Sequence, residues 1–164
     1  MQHYLHTLIL IAVSLSLFAC APSPYQRPDA EAGIDSDEST ILAMAGQTWS
    51  GYSENTLPAV DELMKQADTL LAANNLDAAS EKIERALRID SGFAPAWSRL
   101  SSISLANNNP TRAIQMAKRS NSHAGNSIEL KKLNWEFIRE ASDMMNDVEG
   151  MENADKAIGI LNSL

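Results

Sequence analysis

The chain has 164 residues, a formal net charge of −8 and a single cysteine. That acidic balance argues against nucleic acid as a partner, because binding it normally calls for a basic surface. Aromatic residues make up only 5% while Ala, Leu and Met are common, a composition that favours helices.

The first element is an apolar run, LILIAVSLSLF, from Leu8 to Phe18. A membrane-spanning helix needs about 20 apolar residues, so this run is too short to span. It fits the apolar core of a secretory signal, which runs about 7–15 residues and ends at small ones. The segment before it, MQHYLHT, has no Lys or Arg, a departure from the usual signal. LFAC follows directly, residues 17–20. This resembles the bacterial lipobox, in which an obligatory cysteine follows a small residue. The resemblance implies that the Cys20 thiol takes a diacylglyceryl group and that cleavage occurs before it. Acylation of the new amino terminus would follow, and several chains on one residue give stable anchoring where one is marginal. Residues 1–19 are then the signal peptide. In the lipoproteins that the motif resembles, an aspartate after the cysteine retains the protein in the inner membrane; with Ala21 there, the resemblance implies delivery to the outer membrane with the protein facing the periplasm.

Lipidation at Cys20 narrows the chemistry. Of three histidines, His3 and His6 leave with the signal, and His123 alone remains. No disulfide or Cys/His metal site can then be assembled. The chain has no G-x-S-x-G, Walker or H-E-x-x-H pattern. The expectation is a non-enzyme without cofactor or metal.

A tether comes next, with the lipidated Cys20, over residues 20–57. From Ala21 to Thr56 it holds three prolines, three glycines, six acidic residues and one basic residue. Little of it is apolar, so it cannot repay the entropy of ordering. Its 36 residues give an end-to-end distance of about 30–36 Å as coil and about 120–130 Å at full stretch. One island, STILAMAGQTW at residues 39–49, has the pattern of a short helix, with Trp49 and Tyr52 as candidate anchors.

Two later stretches align at an offset of 34: LAANNLDAA (71–79) and LANNNPTRA (105–113). That period is the one of the tetratricopeptide repeat, a helix–turn–helix unit. The chain resembles that family at Leu63, Ala67, Leu70, Ala79, Ile83 and Ala86 in unit one. Unit two has Trp97, Ser101, Ser104, Ala113, Ala117 and Ser120. Small residues there let helix backbones approach. Asn74, Asn75 and Asn107 to Asn109 suit helix ends because Asn tolerates left-handed angles. Pro110 suits a first helical turn. Ser91 and Ala117 stand where the family has a proline and an aromatic. Apolar spacing then predicts a long helix near 127–147 and a last one near 152–162, a divergent third unit that caps the stack. The fold class is all-α: a tetratricopeptide-type helical hairpin array of about six helices over residues 58–164.

In such arrays the first helix of each unit forms a concave face. The resemblance places Met64, Asp68 and Leu71 there from unit one, and Ser98, Ser102 and Leu105 from unit two. These are adaptable groups that fit a protein segment better than a small molecule. Arg112, Lys118, Arg119, Lys131 and Lys132 form a basic cluster in an acidic chain, a candidate dock for an acidic partner surface. Trp135 is a candidate hot spot by residue type, though its spacing also suits a core residue.

The stretch RSNSHAGNSIELKKLNWEFI, residues 119–138, is similar to the segment joining second and third units in small lipoproteins of the LpoP type. The order of lipobox, tether and short repeat domain is similar too. That family activates a class A penicillin-binding protein from the outer membrane. The resemblance implies a membrane-anchored, periplasmic interaction module that activates a peptidoglycan synthase. The alternative is a general scaffold or adaptor lipoprotein for envelope, pilus, secretion or protease assembly.

Overall fold

A computed structural model describes residues 56–164. Among these there are six α-helices and no strand. They are α1 (Pro58–Ala72), α2 (Leu76–Ile89), α3 (Ala94–Ala106), α4 (Pro110–His123), α5 (Ile128–Met144) and α6 (Val148–Asn162). The signal, Cys20 and the tether island at 39–49 lie outside the described residues.

Consecutive helices pair as hairpins, α1 with α2, α3 with α4 and α5 with α6. The three hairpin turns are built alike. Asn74, Asn108 and Asn146 take left-handed φ angles of 54°, 53° and 55°. Asparagine tolerates this region because its short polar side chain bonds locally. The next residue's N–H closes back five positions, from Asn75 to Leu70 O, Asn109 to Ser104 O and Asp147 to Ser142 O, each at 2.8 Å. The preceding N–H bonds three positions back, which completes a Schellman end. The same closing residue then caps the following helix. Asn75 accepts from Ala78 N, Asn109 from Arg112 N and Asp147 from Gly150 N. Each turn thus ends one helix and starts the next with two adjacent residues.

The equivalence also revises the last unit. The turn recurs after 34 residues and then after 38, so α5 has one more helical turn than a regular repeat allows. The last helix starts at Val148 rather than near 152. Asp147 is the reason: it is the N-cap equivalent of Asn75 and Asn109. Gly150 suits this start because a Cβ there would collide with the Asp147 carboxylate and Ser142 Oγ.

The positions the repeat needs small are fully buried in both regular units. Ala67 and Ser101, Ala79 and Ala113, and Ala86 and Ser120 all lie in the interior. Where serine replaces alanine, its hydroxyl is used. Ser101 Oγ donates to Ala113 O on α4, and Ser120 Oγ donates to Ala94 O on α3. The hairpin is therefore held by hydrogen bonds as well as close approach. One apolar cluster joins α1, α2 and α3 through Val60, Leu63, Met64, Ile83, Leu100 and Ile103. A second joins α3 to α6 through Leu105, Ala117, Leu133, Phe137, Ile138 and Ala154.

Candidate protein-docking surface

The first-helix face carries less open surface than the repeat pattern implies. Met64 and Leu71 belong to the first apolar cluster and Leu105 to the second. Ser98 and Ser102 are buried as well, and Ser102 Oγ donates to Arg99 O. These five are corrected as directly exposed contacts. The apolar stripe of α1 is wide enough to carry Met64 and Leu71 into the core along with Leu63 and Ala67. Nearly every residue of α3 from Ala94 to Leu105 is buried, as befits a helix packed against α2, α4 and α5.

Asp68 keeps a half-buried position and has a defined role. Its Oδ1 accepts from Arg99 Nε at 2.9 Å, bridging α1 and α3. Arg99 is 1% exposed. Sequence reasoning passed over Arg99. The available signal was a lone cation within APAWSRLSSISLA, a helix otherwise small or apolar.

Three of the basic residues have separate partners. Arg112 is exposed on α4 and lies 3.6 Å from Glu84 on α2. It borders a cleft of about 320 Å³ with Asp77, Glu81, Glu84, Leu100 and Asn107. Arg119, two turns along α4, stacks over the Trp97 ring at 4.3 Å from its centroid. That contact is a cation–π pair, and the indole N–H is itself bonded to Ser91 O. Lys131 Nζ donates to Gly125 O in the α4–α5 turn. Lys118 is exposed. His123 ends α4 on the surface.

Trp135 is half-buried and packs on the second cluster, so its ring serves the core at least in part. Its neighbour Glu136 has its carboxyl pushed above the ordinary range by burial, with Lys132 and Arg139 pulling the other way. The folded state therefore holds this proton more tightly than the unfolded chain. Stability from Glu136 falls as pH rises from the unfolded value through the folded one, and the penalty is complete above it. Glu136→Gln is expected to raise Tm at pH 7, with the gain closing below about pH 4.3. Thermal melts of both proteins across that range measure it.

Among the described residues, no group of three or more His, Cys, Asp or Glu is arranged to hold a metal. No described helix is long and apolar enough to cross a membrane. Among the described residues the arrangement offers packing faces and paired charges.

Three helix–turn–helix hairpins stacked through small residues define a tetratricopeptide-type array. No protein-family model matches the chain, and no curated protein matches it. Among solved structures it is similar to the globular C-terminal domain of LpoP from P. aeruginosa. The TM-score is 0.58 at 26% identity, over 65% of this chain and 97% of that one. The resemblance to the LpoP type read from residues 119–138 is thus matched by the fold.

Proposed function

We propose that this chain is a lipid-anchored periplasmic interaction module that docks on a class A penicillin-binding protein and activates it. The observation that carries the reading is the similarity to almost the whole LpoP C-terminal domain. It is supported by the lipobox at Cys20 and the acidic tether that precede the helices. On this reading Cys20 is the anchor at the outer membrane and the module performs no chemistry. It acts by binding the active state of the synthase more tightly than the inactive one, the only way a ligand shifts such an equilibrium. Asp68, Arg112, Arg119, Lys131 and Trp135 remain proposed partner contacts.

The test is recovery of the synthase from envelope extracts with the tagged chain, followed by glycan polymerisation by the purified pair. Faster polymerisation on addition of the chain supports the reading. Recovery of secretion, pilus or protease subunits, without a rate effect on polymerisation, would assign the chain to scaffolding instead. The tether adds a separate expectation. Shortening residues 21–56 by half is expected to abolish activation in cells while leaving the rate effect in solution intact. Activation that survives in cells would count against an activator that reaches from one membrane to the other.

A further inference from the structure

The cleft beside Arg112 is lined by α2, α3 and the start of α4, and no residue of α1 takes part in it. Its volume of about 320 Å³ lies within the range of small-ligand sites. Leu100 and Ile103, both buried, supply its apolar part. Three carboxylates border it along α2, from Asp77, Glu81 and Glu84. Their spacings of four and three residues keep them on one helix face. One cation answers them: Arg112, which lies 3.6 Å from Glu84. Asp77 and Glu81 have no ion-pair partner among the described residues. Three carboxylates against one guanidinium leave the cleft with two uncompensated negative charges. A recess lined by one sign of charge focuses its field and concentrates counter-ions.

The spacing selects the cation. Asp77 and Glu81 are one helical turn apart, about 6 Å along the axis. Among the described residues, no three acidic, His or Cys groups are arranged to hold a metal ion. A protein segment would look for apolar anchors, and none of the exposed large apolar side chains among the described residues lines the cleft. The match is a small linear cation whose two charges are held apart by a methylene chain. We propose that the cleft binds an aliphatic diamine of four or five carbons, one ammonium donating to the Asp77 carboxylate and the other to that of Glu81. The methylenes lie on Leu100 and Ile103, and the Arg112–Glu84 pair stays in place. One exposed ammonium–carboxylate pair is worth little. Two joined by a short stem act together, because the second meets its carboxylate at a high effective concentration. Binding to the folded chain alone raises its stability by linkage. The inference is independent of whether the partner protein is a synthase.

The test uses the mature chain, residues 20–164, with Cys20→Ser to leave it unlipidated. Calorimetry at low salt compares 1,4-diaminobutane and 1,5-diaminopentane with butylamine, 1,2-diaminoethane and Mg²⁺. The two longer diamines are expected to bind at least tenfold more tightly than any of the other three, and to raise Tm. Their affinity is expected to fall as NaCl is added, because exposed charges are screened. Asp77→Asn and Glu81→Gln are each expected to weaken binding at least fivefold. Both side chains are exposed, so the fold is retained. Arg112→Gln, which frees Glu84, is expected to leave binding as tight or tighter. Glu152→Gln makes the same change of charge on α6, outside the cleft, and is expected to have no effect. Absence of diamine binding at millimolar concentration overturns the proposal. So does equal affinity for butylamine or Mg²⁺, or an equal loss on Glu152→Gln, which would mean diffuse attraction to an acidic chain. A loss on Arg112→Gln would place the guanidinium among the ligand contacts and also overturn it. Tighter binding of a lysine-containing tripeptide than of either diamine would make a protein side chain the occupant, with the same result.

Discussion

Phe137→Ala is expected to cost about 3–5 kcal/mol, the range for emptying a buried aromatic site. Phe137 is 2% exposed and sits on α5 in the cluster that also takes residues from α3, α4 and α6. Ala113, Ala117, Ala141 and Ala154 belong to the same cluster. Small residues on close-packed helices have little freedom to collapse into a void, so most of the cavity persists. A domain of this size has a total stability of roughly 5–15 kcal/mol, so the loss is a large share. The midpoint of thermal unfolding should fall by more than about 12 °C. Location adds a second expectation. Repeat arrays are stabilised largely between neighbours, so amides of α5 and α6 should lose hydrogen-exchange protection before those of α1 and α2. Uniform loss across all six helices would mean that the array unfolds as one unit. Trp135→Ala, at a half-buried site of the same helix, should cost less.

The turns were the most legible part of the fold. LAANNLDAA and LANNNPTRA repeat the residues whose backbone demands are special: a left-handed Asn followed by an N-cap. Those demands are local, so sequence alone exposes them. The third turn obeys the same rule through Asn146 and Asp147, but the interval is 38 rather than 34 and the cap is Asp rather than Asn. A strict 34-residue period therefore does not reach it and places the start of the last helix late. The faces were less legible. Which side of α1 or α3 is open depends on what packs across it, and position in a repeat does not carry that information. Met64, Leu71 and Leu105 were expected as surface and are core. Ser98 and Ser102 read as adaptable polar groups and are interior. Arg112, Arg119 and Lys131 read as one cluster because they are close in sequence and alike in sign. In space each has its own neighbour: Glu84, Trp97 and the Gly125 carbonyl. Arg99 was missed because a single cation gives no pattern, and its meaning lies in Asp68, 31 residues earlier.

That pair leads to the second large effect, in which the two partners are not equivalent. Asp68→Ala removes the carboxylate that faces Arg99 Nε and leaves a buried guanidinium without its counter-charge. Breaking a buried pair from one side costs about 3–5 kcal/mol. Partial exposure of Asp68 places the expected loss near the lower end, since water can enter where the carboxylate was. Arg99→Met acts in the opposite sense. It removes the charge together with two nitrogens that lack partners, and fills the space with an apolar chain of similar length. Replacement of buried ionic groups by apolar ones is often neutral or stabilising, by about 1–4 kcal/mol. The double variant should therefore recover most of the loss caused by Asp68→Ala, because no buried charge remains to be stranded. Urea unfolding of the four proteins closes the cycle. Equal destabilisation by the two single changes would mean that the ion pair itself holds α1 to α3. The expected asymmetry would instead mean that Arg99 is kept at a cost to stability.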